Sequence, residues 1–350
     1  MSLLVDWSFI MNKGRYILRR LGLAVVVFIG STTITFIVAR IIPSNLAALY
    51  AGAHPTAEQV AKIEVEMGLN KPLFVQFFLY LGQLIHGDLG VSFLSRQPII
   101  NQLKHFLPAT LELVSASTFL ALLIGVPAGV ISAAKHNRLV DHVTRVISIG
   151  GVSIPSFWLA LLIQLLFFHY LKLLPIGGRL DNLTALNHPV KYITGFYLID
   201  TFVSGNWLAF RSTIIHLILP ACVLAAYPIG LATRMTRSVM VEILSENHIR
   251  AARAAGLSER IILFQYALKN AITPTLTAVG LSAAYSITGA FLVETIFIWP
   301  GIGKYMADAV LSADFPVIVA VTQAVTICYI IINLVVDLIQ AAIDPRINLA

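Results

Sequence analysis

The sequence predicts an all-α integral membrane protein with six membrane-spanning helices. Of its 350 residues, 58% are hydrophobic and only 12% are charged, whereas soluble domains carry about 25% charged residues. Several apolar stretches reach the roughly 20 residues that a helix needs to cross a bilayer. Because the hydrocarbon offers the backbone no hydrogen-bond partner, we expect each of these stretches to be helical.

The apolar stretches follow one another along the whole chain. The predicted spans cover residues 21–42, 107–134, 146–171, 213–233, 271–297 and 317–340. Five prolines fall inside or at the edges of these spans, at positions 127, 155, 220, 228 and 274. Membrane helices tolerate proline through local kinks, so these prolines do not argue against the assignment.

The positive charges predict the orientation of the chain. Lys and Arg number four in residues 1–20, three in the loop 135–145 and six in the loop 234–270, against nine in the longer loops on the other side. Since Lys and Arg accumulate on the cytoplasmic side, we predict that both termini are cytoplasmic. The chain is predicted to divide into a cytoplasmic segment 1–20, a transmembrane domain 21–340 and a cytoplasmic tail 341–350. Within the transmembrane domain, the outer loops are 43–106, 172–212 and 298–316, and the loop 234–270 is cytoplasmic.

Motifs for catalysis or for cofactor binding are missing from the sequence. A phosphate loop needs GxxxxGK followed by Ser or Thr, but the Gly-Lys pair at 303–304 has Ile298 at the first position and Tyr305 at the last. The nine histidines are scattered without metal-ligand spacing, and Cys222 and Cys328 fall inside spans, where we expect two buried packing residues. The net charge of +7 is explained by the cytoplasmic bias, so we expect no nucleic-acid partner.

Residues 246–274 lie between two spans and combine a run of small residues with basic flanks. Alanine gives high helix propensity with little bulk, and Gly256 is predicted to end the helix in the left-handed conformation. Arg250 and Arg253 are three positions apart and therefore lie near one face, where they can pair with acidic groups. A slim helix of this kind suits docking into a groove of another protein; an ordinary solvated helix is the alternative.

Two acidic residues lie in or near the spans. Ionisable groups in membranes are costly and often line transport pathways, so Glu294 and Glu112 are candidates for a path-lining role. For Glu294 the alternative is a structural anchor that holds the turn Trp299-Pro300-Gly301 by hydrogen bonds. The same two alternatives apply to Glu112.

The chain resembles the permease subunits of ATP-binding-cassette importers of the dipeptide/oligopeptide/nickel class, most of all the B-type dipeptide permeases. The resemblance extends from about Gly14 to Asn348. It is carried by YILRRLG (16–22), MGLNKPL (67–73), HGDLGVSF (86–93), ATLEL (109–113), RMTRSVMVEIL (234–244), IRAARAAGL (249–257), ALKNAITP (267–274), VETIFIWPGIGKY (293–305) and DPRI (344–347). The chain departs from the family in the turn after Pro43, and Arg250 replaces the Glu of the general importer motif.

The resemblance implies the type I ABC importer permease fold in a bacterial inner membrane and a transport subunit without catalysis of its own. It implies a second homologous permease subunit, two cytoplasmic ATP-binding subunits that bind ATP and Mg, and an extracytoplasmic solute-binding protein. The cargo is a di- or oligopeptide or a related small solute; glutathione-like compounds, nickel chelates and sugars stay open. The implied ATPase-coupling residues are Ile249, Arg250, Ala251, Ala252, Arg253, Ala254, Ala255, Gly256 and Leu257.

Two other classes of membrane protein are compatible with six spans. A secondary transporter driven by protons or sodium would use the intramembrane acids for coupling and would show internal repeats, and no clear repeat is present. A membrane-embedded hydrolase would need a nucleophile elbow or a zinc-protease motif, and neither occurs in the sequence.

Overall fold

The computed structural model describes residues 7–41, 46–51, 55–66 and 68–343. These residues form α-helices, short π-helical segments and an isolated β-bridge between Val91 and Pro98, so the predicted all-α class is confirmed. The predictions for residues 1–6, for the turn after Pro43 and for the tail from Asp344 onward lie outside the described residues.

The helices are numbered in chain order. The first eight are α1 Trp7–Ile41, α2 Leu46–Ala51, α3 Ala57–Glu66, α4 Leu73–Ile85, α5 Ile99–Leu120, α6 Val126–Ala134, α7 Leu139–Ser153 and α8 Ser156–Gln164. They are followed by α9 Asn182–Asn187, α10 Tyr197–Val203, α11 Trp207–Leu244, α12 Asn247–Ala254, α13 Glu259–Ile261, α14 Leu268–Ile296, α15 Ile302–Leu311 and α16 Phe315–Ile343. The π-helical segments are Ala121–Gly125, Leu165–Tyr170 and Ile262–Ala267.

Among the described residues, five helical segments are long and apolar enough to cross a membrane, and a bent pair of helices makes up to six. The five are Arg19–Val38, Ile99–Ala134, Trp207–Leu244, Glu259–Ile296 and Phe315–Gln340. The bent pair is Leu139–Ser153 with Ser156–Tyr170. Each predicted span therefore overlaps one of these segments, although the third does so in a different form from the one expected.

The third predicted span, residues 146–171, is not one continuous helix. It consists of the second half of α7, the whole of α8 and the π-helical segment Leu165–Tyr170, and the chain bends by 106° between α7 and α8. The chain leaves the helix at Ile154, whose φ and ψ are −75° and 124°, and Pro155 precedes α8. Proline has no N–H for the helical ladder and pushes the preceding residue into an extended conformation, so this proline separates two helices instead of kinking one.

The fourth and fifth spans are longer than their apolar cores suggest. At about 1.5 Å per residue, the 38 residues of α11 measure about 57 Å, well beyond the roughly 30 Å of a hydrocarbon core. Helix α11 therefore includes residues 234–244 of the predicted cytoplasmic loop, and the next long helical segment begins at Glu259. Only residues 245–258 remain between the two long helical segments, and α12 lies among them.

The chain divides into two compact units, Met1–Leu107 with Tyr305–Cys328, and Pro108–Lys304 with Tyr329–Ala350. In the first unit, α1 is joined to the start of α16 by hydrogen bonds between hydroxyl and amide side chains. The Thr32 hydroxyl donates to Gln323 Oε1 at 3.1 Å, and the Ser31 and Thr326 hydroxyls are 3.0 Å apart. Hydrogen bonds of this type hold helices together where apolar contacts give no preference over lipid.

The second unit contains α6 to α14, with α11 packed against α6, α7, α8 and α14. Helices α7 and α11 approach closely at two glycines. A Cβ on Gly151 would lie 2.9 Å from the Ala226 carbonyl oxygen, and a Cβ on Gly230 would overlap the Ser148 carbonyl. Small residues allow backbones to come this close in membrane helices, so α7 and α11 pack backbone against backbone next to the break at Ile154.

The expectation that both cysteines are buried is half wrong. Cys328 is buried, but Cys222 is exposed on this chain. Its neighbours Ala221 and Val223 are both about 2% exposed, so Cys222 projects from the face of α11 that the other helices leave uncovered.

Candidate functional site

Helix α12 has one face buried against this chain and one face bare. Ile249 is fully buried and Ala252 is 7% exposed, while Arg250 and Ala251 are exposed. The buried pair is three positions apart, as one face of a helix requires. The exposed surface of α12, which we call the bare α12 face, consists of Arg250, Ala251, Arg253 and Ala254.

The buried face of α12 packs into a cluster formed by the ends of several helices. This cluster combines Val130 and Ala133 of α6, Met240 and Ile243 of α11, Ile249 and Ala252 of α12, and Ile262, Ala267 and Ala271 at the start of the last long helical segment before α15. Leu257 packs against the same cluster. The cluster therefore joins α12 by close packing to three of the spanning segments.

Gly256 ends α12 as predicted. Its φ is +79°, and its N–H donates to the Arg253 carbonyl at 3.0 Å while the Leu257 N–H donates to the Ala252 carbonyl at 3.2 Å. These two bonds form a Schellman motif. The prediction of a left-handed helix stop is confirmed.

The structure revises two details of the predicted coupling residues. Ala252 faces its own chain, so it does not supply small surface to a partner. Arg253 donates to Glu259 at 2.7 Å and 3.3 Å, and this hydrogen bond from the guanidinium to the carboxylate raises the pKa of Arg253. Arg250 is the other exposed positive charge of the bare α12 face.

A buried ion pair ties α7 to α11 next to this cluster. Asp141 is fully buried, and Arg237 of α11 donates to its two carboxylate oxygens at 2.6 Å and 2.8 Å. The Ser132 hydroxyl at 2.7 Å and the Asn137 N–H at 2.9 Å donate to the same carboxylate. Four donors on one carboxylate satisfy its buried charge, and they join α6, the following turn, α7 and α11 at one point.

Glu294 holds the chain between α14 and α15. Its carboxylate is fully buried and accepts hydrogen bonds from the Thr110 hydroxyl at 2.5 Å, the Gly303 N–H at 2.7 Å and the Lys304 N–H at 3.0 Å. The Trp299 indole N–H donates to the Ala109 carbonyl at 2.9 Å. These hydrogen bonds are the ones expected if Glu294 is a structural anchor, and the short helix α15 begins at Ile302, directly after the turn. A path-lining role for Glu294 stays a prediction.

Glu112 forms a second buried ion pair, with a partner that the sequence did not indicate. Arg179 donates to Glu112 at 2.9 Å and 2.5 Å, and its guanidinium lies 3.8 Å from the centre of the Tyr197 ring. The Leu198 N–H donates to the other carboxylate oxygen at 2.7 Å. Glu112 therefore joins α5 to the segment 179–198.

Replacing Glu112 with alanine is expected to destabilise the protein strongly. Arg179 would remain buried without its counter-charge, which typically costs roughly 3–5 kcal/mol. Glu112→Gln keeps an acceptor for the Leu198 N–H and should lose less. Thermal unfolding of the purified protein measures the difference, with Asp181→Ala, an exposed carboxylate of the same segment, as the control. Equal unfolding temperatures for Glu112→Ala and this control would contradict the assignment.

The segment 193–195 is held by Asp200, which is fully buried. Its carboxylate accepts from the N–H groups of Ile193, Thr194 and Gly195 and from the Thr194 hydroxyl, at 2.7 to 3.2 Å. Burial alone would raise the pKa of Asp200, but these hydrogen bonds outweigh it and hold the pKa below its usual value. The carboxylate is therefore charged at neutral pH and holds the turn that contains Gly195. The carbonyl of Gly195 in turn accepts a hydrogen bond from Arg179.

The described residues contain no group of three or more His, Cys, Asp or Glu able to hold a metal ion. The charged clusters described above are ion pairs and anchors between helices. Together with the apolar segments, they define a polytopic membrane protein. Between two of its long spanning segments lies one small helix, α12, whose buried face packs against the rest of the chain.

The chain belongs to the family of binding-protein-dependent transport system inner membrane components. The model of this family matches residues 125–349, and the model of the family's N-terminal part matches residues 13–114. The prediction of a multi-pass transport subunit of the bacterial inner membrane, and not an enzyme, is confirmed by this membership.

Curated relatives match the chain over nearly its whole length. It is 44% identical over 324 residues to the probable D,D-dipeptide transport system permease protein of Escherichia coli K12, covering 93% of this chain and 94% of that protein. It is 42% identical over 333 residues to the dipeptide transport system permease protein of Alkalihalophilus pseudofirmus, covering 95% and 99%. The di/tripeptide transport system permease protein of Pseudomonas aeruginosa is 41% identical over 334 residues, with 95% and 98% covered.

Proposed function

We propose that this chain is one of two homologous permease subunits that enclose the membrane pathway of an ATP-driven importer for di- or oligopeptides. Peptide cargo is supported by the relatives, three of which are named for dipeptides, di- and tripeptides or D,D-dipeptides. Two cytoplasmic subunits bind ATP and Mg, and an extracytoplasmic solute-binding protein delivers the peptide. The chain itself holds no cofactor.

One observation supports a role of α12 in coupling ATP hydrolysis to transport: this helix is buried on one face and bare on the other. The buried face packs into a cluster shared by α6, α11 and the segment leading into α14. The bare α12 face carries alanines and the exposed Arg250, so a groove with acidic rims on each ATP-binding subunit can receive it. Closure of the ATP-binding subunits would then push α12, and the packed helix ends would move with it.

A bulky side chain on the bare α12 face is expected to prevent docking. Ala251→Trp adds an indole where the groove should close, but it leaves the buried face untouched, so insertion and folding should be unchanged. We expect co-purification of the ATP-binding subunits and peptide uptake into proteoliposomes both to fall about tenfold or more, which corresponds to about 1.4 kcal/mol.

Ala185→Trp is the matched control, because Ala185 is an equally exposed alanine in α9 of the predicted outer loop. It should leave co-purification of the ATP-binding subunits unchanged. Normal co-purification and normal uptake with Ala251→Trp would refute the proposed coupling role of α12. Ala252→Trp is not a suitable test, since Ala252 packs against this chain and the change would disturb its own core.

A further inference from the structure

A cavity of about 240 Å³ lies beside the break between α7 and α8. It is lined by Gly151 of α7, by Ile154 at the break and by Ser156 of α8. Helix α11 contributes residues 223, 224 and 226–228, and α14 contributes Ser282, Tyr285 and Ser286. Residues 223–228 are the middle of the 38-residue helix α11. The cavity therefore lies deep within the spanning segments, where irregular backbone is tolerated only if protein buries it or a polar cavity solvates it.

Two prolines leave backbone acceptors at this cavity. Pro155 has no N–H to donate to the carbonyl of Gly151, four residues earlier, and Pro228 has none to donate to the carbonyl of Leu224. Both Gly151 and Leu224 line the cavity. Each proline therefore removes the helical N–H donor of one carbonyl beside the cavity, and a buried carbonyl favours a replacement donor.

Hydroxyl groups add donors to these acceptors. The hydroxyls of Ser156 and Tyr227 make no hydrogen bond within the part of the chain that the structure describes, so both can donate into the cavity. Ser282 and Ser286 donate to carbonyls of their own helix at 2.7 Å and 2.9 Å, and each keeps oxygen lone pairs that can accept. The lining combines donors and acceptors in the same small volume.

The cavity contains no charged side chain: Asp, Glu, Lys, Arg and His are absent from its lining residues. A ligand recognised there is recognised through neutral hydrogen-bonding groups. The peptide unit, with one N–H donor and one carbonyl acceptor per residue, is the group that this mixture of carbonyl acceptors and hydroxyl donors complements.

We propose that this cavity holds the main chain of the transported peptide, with peptide N–H groups donating to the carbonyls of Gly151 and Leu224 and a peptide carbonyl accepting from Ser156 or Tyr227. This inference rests on the proposed peptide cargo. Recognition through the main chain is independent of the cargo's side chains, so one site serves many sequences. The proposed contacts use neither Glu112 nor Glu294, whose carboxylates accept hydrogen bonds within this chain; their predicted path-lining role is a separate hypothesis.

Photo-crosslinking in the assembled transporter tests the location of the site. Tyr285 lines the cavity and is 70% exposed on this chain, so Tyr285→benzoylphenylalanine places a photoreactive group at the cavity mouth. With binding protein and ATP present, a radiolabelled dipeptide is expected to label this chain on illumination. A second dipeptide with unrelated side chains should label it equally well.

Phe119→benzoylphenylalanine is the matched control. Phe119 is 64% exposed and lines a different, largely apolar cavity within the spanning segments. We expect it to give at most about a tenth of the labelling seen at position 285. Equal labelling at both positions, or normal uptake without labelling at position 285, would overturn the inference. Absence of peptide uptake by the unmodified transporter would instead refute the proposed function.

The double variant Ser156→Ala, Tyr227→Phe tests the hydrogen bonds. Removal of both hydroxyl donors is expected to slow uptake about tenfold for every dipeptide, at saturating binding protein, while ATP-binding subunits still co-purify. Ser156→Thr, which keeps a hydroxyl, should retain most of the rate. A loss confined to peptides with one kind of side chain would contradict recognition through the main chain, as would an unchanged rate.

Discussion

Asp141→Ala is expected to destabilise the protein by roughly 3–5 kcal/mol, the usual result of removing one partner of a buried ion pair. Arg237 would be left largely buried, with a side chain that is 18% exposed and without its acceptor. The Ser132 hydroxyl and the Asn137 N–H would also lose their partner. The effect is large because four donors converge on one carboxylate.

The same variant is expected to uncouple the transporter. The carboxylate of Asp141 joins α7, which ends at the break beside the cavity, to α11, which continues toward α12. Without it, movement of α12 reaches α11 but is transmitted less directly to α7. We therefore expect peptide uptake per ATP hydrolysed to fall about tenfold or more in whatever fraction of the complex remains assembled.

Arg145→Ala is the matched control for Asp141→Ala. Arg145 lies 3.9 Å from Asp141, but its side chain is 43% exposed, and exposed pairs contribute only about 0–1 kcal/mol. The double variant Asp141→Asn, Arg237→Gln replaces the charges by amides that can hydrogen-bond, and it should recover part of the stability. The assignment is wrong if Asp141→Ala unfolds at the same temperature as Arg145→Ala.

Glu294→Ala is the second change with a large expected effect, and Glu294→Gln should be far milder. Alanine leaves the Thr110 hydroxyl and the N–H groups of Gly303 and Lys304 without an acceptor, at about 1–3 kcal/mol for each buried donor. Glutamine keeps one oxygen for the two N–H groups, and its amide can donate to Thr110. The order expected for both thermal stability and uptake is wild type, then Gln, then Ala.

This pair of variants separates an anchor from a path-lining charge. An anchor needs acceptors and shape, so Glu294→Gln should transport near the normal rate. A carboxylate that meets a substrate ammonium group needs its charge, and Gln would then abolish uptake while the fold stays intact. Thr295→Ala, at the exposed neighbouring position, controls for expression and should be silent in both assays.

Features set by local chemistry could be predicted from the sequence. The spans could be predicted because the length and the apolar composition of a stretch are enough to identify a membrane-spanning helix. Gly256 was predicted as a helix stop because glycine adopts a positive φ without strain.

Features that depend on distant pairing could not be predicted. Glu112 and Arg179 are 67 positions apart, and Asp141 and Arg237 are 96 apart, so only the packing of the helices brings them together. Pro155 marked an irregularity, but the 106° angle between α7 and α8 and the close approach of α7 to α11 at Gly151 are features of the packed helices that the local sequence does not specify. The burial of Ala252 was missed for the same reason, since the face of α12 that packs inward is selected by the surrounding helix ends.

Uptake of a radiolabelled dipeptide into proteoliposomes tests the central claim most directly, namely that this chain transports only within a complex driven through α12. Four preparations are compared: the full complex with binding protein and ATP, the same without ATP, the complex carrying Ala251→Trp, and the purified chain alone with a proton or sodium gradient. The account predicts full uptake only in the first, uptake reduced about tenfold or more in the third, and none in the other two. Uptake by the chain alone, driven by the ion gradient, would contradict it.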